Sequence, residues 1–496
     1  MEEYAIHQLR RAMDAGELTA AAVTAAYIER IRAIDQAGPK LNSIIELNPD
    51  ALEIASALDE ELRDRSPRSP LHGIPVLIKD NIDTADHMRT SAGSLALAEH
   101  VALQDSTVAA NLRAAGAIIL GKTNLSEWAN FRSSRSVSGW SSRGGQTRNP
   151  YALDRNPCGS SSGSATAVAA NLVTAAVGTE TDGSIICPSH TCGIVGIKPT
   201  LGLVSRAGIV PIAHSQDTPG PMARTVADAA LLLAAIAGPD VRDPASLSVD
   251  NTALDYRASL RADGLRGARI GVARGFFGSN PAVDRIMEEC LRALRECGAE
   301  LIDPVDVPHA KDLGDSEMEV LLYEFHADLD AYLAQAGPNA AARSLAEVIS
   351  FNDRHAARVM PYFGQEIMLQ AVEKGPLTEQ KYLEALATNH RLSRAEGIDA
   401  ALREHNLDAI VEPSGGPAWL TDYICGDHHV GGTSSPAAVA GYPSITVPAG
   451  YVSDLPVGIT FVSTAWTEAR LIQYAYAFEQ ATQIRRPPKF LSSVRS

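Results

Sequence analysis

The sequence predicts an α/β fold built on a buried, largely parallel or mixed sheet. Two observations carry the prediction. Apolar runs of strand length end repeatedly in polar turns: Ile74-Pro75-Val76-Leu77-Ile78 runs into Lys79-Asp80-Asn81, and Ile118-Ile119-Leu120 runs into Gly121-Lys122-Thr123-Asn124. Segments with helical spacing of apolar residues lie between such runs, and that alternation is the pattern of α/β chains. In such sheets chemistry gathers at the strand ends.

Taken in order, residues 19–34 read as a helix, capped by Thr19 and carrying Val23, Tyr27, Ile31 and Ile34 on one face. Leu41 to Glu46 reads as a short strand. A second helix covers Ala51 to Leu62, broken by Ser66-Pro67-Arg68-Ser69-Pro70. A third runs from Ser106 to Ala115 and closes at Gly116. From Gly159 to Pro199 the composition shifts to Gly, Ser, Ala and Thr, and within it Ala165 to Val177 reads as one buried helix. Arg269 to Ala273 and Ala299 to Ile302 read as strands flanking a helix at Val283 to Glu296. Residues 315–404 read as mostly helical. Asp408 to Val411 resumes the sheet, and Ala437 to Gly450 with Pro456 to Val462 continue it. No internal repeat or linker-like stretch divides the chain, so the expectation is one domain over 1–496 with a mostly helical, more variable segment at about 250–405.

Hydrophobic residues at 45% and charged residues at 21% are ordinary globular values. The net charge of −16, from 43 basic and 59 acidic residues with no basic run, excludes a nucleic-acid backbone binder. The apolar run Ala229 to Ala237 stops at Gly238-Pro239, well short of the roughly 20 residues that span a bilayer. Six cysteines, at 158, 187, 192, 290, 297 and 425, are too few for a disulfide scaffold and lack paired zinc spacing. The opening Met1-Glu2-Glu3-Tyr4 shows no basic, apolar leader pattern. The expectation is a cytoplasmic enzyme, monomer or homodimer, with no membrane or nucleic-acid partner.

Two small-residue clusters can carry chemistry. Gly159-Ser160-Ser161-Ser162-Gly163-Ser164 runs straight into an apolar stretch, unlike a linker, and no lysine follows it, unlike a P-loop. It also matches a GxSxG nucleophile elbow centred on Ser161, although Asn156-Pro157-Cys158 makes a poor preceding strand. The second cluster, Gly178-Thr179-Glu180-Thr181-Asp182-Gly183-Ser184, can present a serine hydroxyl where backbone N–H groups converge, as an oxyanion hole requires. A serine nucleophile needs a base, and no histidine is marked for that role. A desolvated lysine can serve. Of the eight lysines, Lys79 and Lys122 each end an apolar run, and spacing does not separate them.

Together these segments resemble the amidase-signature family over nearly the whole chain, most weakly at 250–405. Gly73 to Asn81 is similar to the family's lysine strand, Gly159 to Ala165 to its Gly/Ser motif, and Gly178 to Ile185 through Gly196 to Thr200 to its nucleophile region. Ala440 to Pro448 and Leu455 to Gly458 fit as well. The resemblance implies a large mixed central sheet covered by helices on both faces, no cofactor and no metal. It implies Ser184 as nucleophile, Ser160 as a bridging serine after a cis peptide bond, and Lys79 as base. The N–H groups of Thr181, Asp182, Gly183 and Ser184 would form the oxyanion hole, with Ser161 and Thr179 supporting the relay. The implied reaction is cleavage of a carboxylic amide through a serine acyl-enzyme.

Three positions depart from the family pattern: Glu180 stands where Asp is usual, Asp182 where Gly is usual, and Ile186 where Arg is usual. Ser138 to Ser141, Gly144 to Pro150 and Ser215 to Pro221, with Glu180 and Asp182, look like the branch of bacterial peptide amidases. The expected partner is a small-molecule or peptide amide. An aryl amide, anilide, carbamate or cyclic oligoamide would suit the same relay. Phe131, Ser134, Trp419 and Tyr423 are candidates for pocket lining, and His190 in the unusual stretch Ser189-His190-Thr191-Cys192 is expected to be a packed loop residue. The alternative function is the amidase component of a glutamine-dependent amidotransferase.

Overall fold

A computed structural model describes residues 2–249 and 255–494. Thirteen strands are found among the described residues. They are β1 (Ile44–Leu47), β2 (Pro75–Lys79), β3 (Ile118–Thr123), β4 (Trp140–Ser141), β5 (Gly145–Gln146), β6 (Ala175–Glu180), β7 (Val195–Lys198), β8 (Thr218–Ala223), β9 (Arg269–Ala273), β10 (Glu300–Val305), β11 (Ala409–Pro413), β12 (Ser444–Val452) and β13 (Leu455–Val462). Eleven form one sheet in the order β1-β3-β2-β6-β8-β7-β12-β13-β11-β9-β10, and β4 pairs β5 as a small hairpin. β2 is parallel to both β3 and β6, β9 to β10 and β11, and the other sheet pairings are antiparallel. The large mixed sheet carries helices on both faces, as the sequence predicts.

The order has a simple plan. Within the large sheet, the six strands before residue 224 form one contiguous block and the five after residue 268 form another, meeting where β7 pairs β12. Every residue of β2, β3, β6, β7, β8, β11 and β13 is buried, which explains why these strands read as continuous apolar or small-residue runs rather than alternating ones.

Most sequence expectations hold to within a few residues. Thr19 accepts the Ala22 N–H and Ser106 the Ala109 N–H, each capping the helix expected there. Two do not hold. Ala165 to Val177 is not one helix: a buried helix Ser162–Ala169 ends in a turn where Asn171 takes φ +54°, and β6 begins at Ala175. Asn tolerates that left-handed conformation, and the following Val173-Thr174 favours extended backbone. Ala437 to Ala440 belongs to a short helix, Ser435–Ala440, closed by Gly441 at φ +67°, so the strand starts only at Ser444.

The small residues of the Gly/Ser segment are a packing requirement. A Cβ at Gly163 would lie 2.2 Å from the Ser43 carbonyl oxygen and 2.4 Å from that of Asn124. Helix Ser162–Ala169 is wedged against backbone on that side, and any larger residue would push the segment off the sheet. Residues 314–404 are mostly helical, as expected, and helices Gly314–Ala334, Leu345–Arg354 and Glu366–Val372 close a second apolar core around Phe325, Leu329, Val348 and Met368.

Candidate active site

Lys79 is the last residue of β2 and is fully buried. Its Nζ lies 2.7 Å from Ser160 Oγ, 3.0 Å from Ser161 Oγ, 2.8 Å from Thr179 Oγ1 and 3.1 Å from the Thr179 carbonyl oxygen. An ammonium has three protons for these four oxygens, whereas a neutral amine has two protons and one lone pair. Burial pulls its pKa down to about 7, against the opposing pull of Asp217 and Glu180. Near neutrality both forms are therefore accessible, and in the neutral form a hydroxyl can donate to the amine.

Ser160 follows a cis Gly159–Ser160 peptide bond, and its carbonyl accepts the Ser126 N–H at 3.1 Å. Ser161 is spent on structure: its fully buried hydroxyl donates to the Thr179 carbonyl at 2.9 Å and accepts the Thr179 N–H at 3.1 Å. The stretch before it is not a strand, so the elbow reading of Ser161 fails. Thr179 is also held by Asn81, whose Nδ2 donates to Thr179 Oγ1 at 3.0 Å.

Ser184 sits on the turn that follows β6, with Gly183 at φ +76° supplying a conformation that side-chain-bearing residues resist. Its carbonyl accepts the Ser161 N–H at 3.2 Å. Among the described residues, its hydroxyl has no hydrogen-bond partner, so Lys79 and Ser160 are joined while the Ser160–Ser184 leg is open in this conformation. The N–H groups of Thr181, Asp182, Gly183 and Ser184 likewise have no acceptor among the described residues, whereas the next two, of Ile185 and Ile186, donate to Glu180 Oε2 at 2.7 and 2.9 Å.

The unusual residues of this turn thus have structural work. Glu180 reaches around the turn to clamp its far end; burial raises its pKa, countered by the buried Lys198. Asp182 accepts the hydroxyls of Ser434 and Ser435, tying the turn to the C-terminal block. Burial and the Asp182 charge raise the pKa of the neighbouring Glu317. Ile186 starts the short helix Ile186–Thr191.

A cleft of about 450 Å³ opens onto Gly159, Asp182 and Gly183 and is walled by Ser138, Trp419, Asp427 and His429. Asp427 latches the loop after β11 across it by accepting the Ser138 N–H at 3.1 Å and Trp419 Nε1 at 3.2 Å. A second cavity, of about 340 Å³, reaches Asn81, Thr179 and Thr181 from another side. Of the four pocket candidates only Trp419 lines the cleft. Phe131 packs edge-on against Phe325 in the second core, their centroids 5.1 Å apart. The exposed Ser134 donates its hydroxyl and N–H to Glu366. Tyr423 stacks on Tyr362 at 4.3 Å. All three stand on loops near the motifs, but their side chains turn to partners in or beside the helical segment.

Three features escaped sequence reasoning. Cys158 and Cys187 form a disulfide on the wall of the cleft, with Cα atoms 5.9 Å apart. One bond is not a scaffold, and a 29-residue separation carries no motif. The anchors Asp427, Ser434 and Ser435 come from a segment more than 240 residues from the Gly183–Ser184 turn. Lys122, the rival base, donates to the Ile82 carbonyl and to Thr90 Oγ1 at 2.9 Å and takes no part in the serine cluster.

The molecule is similar to known proteins along its whole length. The native peptide amidase of Stenotrophomonas maltophilia is 51% identical, covering 98% of this chain and 99% of that one, with a TM-score of 0.94. A probable amidase of Arabidopsis thaliana is 41% identical over 99% of this chain and 92% of its own length. A glutamyl-tRNA(Gln) amidotransferase subunit from Thermoanaerobacter pseudethanolicus is 33% identical over the full length of both. The family model for amidases matches residues 22–472. The chain belongs to the amidase family and is a hydrolase of carboxylic amide C–N bonds.

Proposed function

We propose that the enzyme removes the C-terminal amide group of peptides, using Ser184 as nucleophile and Ser160 and Lys79 as its proton relay. The observation that carries the relay is the fully buried Lys79 amine, 2.7 Å from Ser160 Oγ and with its pKa brought down to about 7. Neutral Lys79 takes the Ser160 proton as Ser160 takes that of Ser184, and Ser184 attacks the carbonyl. The free N–H groups of residues 181–184 receive the developing oxyanion. The relay then returns a proton to the departing ammonia, and water cleaves the acyl-enzyme. In this reading the Ser184 hydroxyl turns toward Ser160 when substrate is bound, since such contacts are often long without substrate.

The peptide substrate rests on likeness to the Stenotrophomonas enzyme and on a cleft long enough to run past Trp419 and His429. Ammonia release from peptide amides, compared with glutamine, anilides and carbamates, tests it; turnover of glutamine only beside a partner protein would favour the amidotransferase reading instead. A fluorophosphonate should label Ser184 and not Ser161. Monomer or homodimer is the expected state. Among the described residues no helix is long and apolar enough to cross a membrane. The cytoplasmic location expected from the sequence stands against the Cys158–Cys187 bond, since reducing compartments open disulfides. The thiol count of freshly isolated protein decides between them.

A further inference from the structure

The stretch Ser189-His190-Thr191-Cys192 has no part in the relay, yet His190 occupies an unusual place. It is fully buried on helix Ile186–Thr191, and neither ring nitrogen has a hydrogen-bond partner among the described residues. A buried imidazole with two orphan nitrogens is costly unless something else satisfies it. Burial pulls its pKa down to about 3, so the ring is neutral, with a lone pair available on one nitrogen. The groups within reach are metal donors: Cys187 Sγ, a ring nitrogen of His190 and a ring nitrogen of His429 all lie within 4.8 Å of one another. Cys187 and His429 both line the cleft, which gives a path from solvent. Cys158 Sγ, bonded to Cys187 in the oxidised protein, is a fourth donor at the same spot.

We propose that reduction of the Cys158–Cys187 bond creates a site for a soft divalent cation of the zinc class, held by Cys187, His190, His429 and Cys158. The oxidised protein cannot form it, because the two sulfurs spend their electron pairs on each other. A dithiol reductant supplies two electrons to the S–S bond and leaves as its own disulfide, and both cysteine sulfurs are freed as thiols. The cation then takes both as thiolates, with release of two protons, together with the two neutral imidazoles. Tetrahedral coordination at about 2.0–2.3 Å places donors roughly 3.3–3.8 Å apart; Cys187, His190 and His429, already within 4.8 Å of one another, would close slightly, while the two sulfurs, no longer bonded, would part to that distance. His429 is exposed on the loop after β11 and packs edge-on against Trp419, their ring centroids 5.4 Å apart. Cys158 lies two residues before Ser160 and Cys187 three after Ser184, so a bound cation grips both limbs of the serine cluster and narrows the cleft. Loss of amide hydrolysis in the metal-loaded state rests on the function proposed above; the metal site itself does not.

The test uses the full chain, once oxidised and once reduced by a dithiol that is then removed anaerobically. Each form is titrated with zinc against a chromogenic chelator, and with cobalt for its thiolate charge-transfer band. Expected are one zinc per chain in the reduced form only and a cobalt–thiolate band that disappears in Cys187→Ser. Zinc binding should be lost in both His190→Ala and His429→Ala. The exposed position of His429 guards against a variant that merely fails to fold, and melting of the metal-free variants checks this directly. The other four cysteines are free thiols in both forms, so the difference between the forms isolates the pair. Equal zinc uptake by oxidised protein, undiminished uptake by the folded histidine variants, or no uptake with the disulfide demonstrably open would each overturn the proposal. Should zinc bind as expected without slowing amide hydrolysis, the metal site stands and the inhibitory consequence falls.

Discussion

Lys79 ends β2 and Lys122 is the penultimate residue of the neighbouring parallel strand β3; both are fully buried, and a one-residue offset gives them different surroundings. In the β2–β3 register Lys79 aligns with Thr123 and Lys122 with Ile78, so the two side chains leave the sheet on opposite faces. Lys79 enters a cage of hydroxyls with no carboxylate in hydrogen-bond contact. Lys122 enters a region where Asp80 and Asp83 supply charge, with Arg143 also bonded to Asp80. Burial lowers the pKa of both lysines. Among the described residues neither amine bonds a carboxylate directly; the difference is the surrounding charge, Asp217 and Glu180 at Lys79 against Asp80, Asp83, Asp86 and Glu46 at Lys122, which favours the cation more strongly at Lys122. Desolvation acts on both lysines, and the charge around each amine is what tells them apart.

The contrast can be broken most violently at Lys79. Lys79→Ala should cut kcat/KM roughly 10⁴-fold, and Lys79→Arg equally, because a guanidinium cannot surrender its proton. Either variant retaining activity within tenfold of wild type would remove lysine from the relay. The mirror experiment is Lys122→Met, which leaves Asp80 and Asp83 short of a counter-charge. By stranding the buried Ile82 carbonyl and Thr90 hydroxyl it should cost about 1–3 kcal/mol in denaturant unfolding, with kcat/KM below the transition falling far less than in the Lys79 variants. Lys79→Met should destabilise less than Lys122→Met, since fewer carboxylates lose a nearby counter-charge.

Smaller effects sharpen the same contrast. Between the folded value of about 7 and its ordinary value of 10.5, Lys79 is largely neutral in the native chain and protonated in the unfolded one. It thus costs stability at neutral pH, and that cost shrinks as pH rises. For activity, kcat/KM should rise with pH through about 7 and level off above, falling about tenfold per unit on the acid side. A profile flat from pH 5 to 9 would refute a neutral Lys79 as the base. Ser161→Ala removes one of the four oxygens around Nζ, and the loss of one buried hydrogen bond, about 1–1.5 kcal/mol, should lower kcat/KM by about tenfold.

The lysine comparison also marks what the sequence could tell. Both lysines are legible as strand-end candidates, because an apolar run that stops at a lysine is a local pattern. Which one faces the serines depends on register, and register is set by pairing with strands far along the chain. The likeness of the segment around Lys79 to a known motif singled out the lysine whose amine lies 2.7 Å from Ser160 Oγ, where spacing could not. The same division runs through the rest. The cap at Thr19, the apolar strands β2, β3, β9, β11 and β13 and the small-residue character of residues 159–165 are local and readable. The broken stretch at Asn171 was missed because small apolar residues fit helix and strand alike. Phe131, Ser134 and Tyr423 were misplaced because a loop's position says little about where its side chains turn. Asp182 was recognised as unusual, but its partners Ser434 and Ser435 lie 252 and 253 residues away.

The two-block order of the sheet has a practical corollary. A break introduced between Val249 and Asp255 would yield one piece holding Lys79, Ser160 and Ser184 and another holding Ser434, Ser435, Asp427 and His429. Each piece would carry its strands as an uninterrupted array, with β7 and β12 as the facing exposed edges. Neither should turn over substrate by itself, while mixing should restore turnover by edge-to-edge zippering of β7 with β12. The chain therefore offers a natural seam for a split reporter, whose signal appears only when two fused proteins bring the halves together.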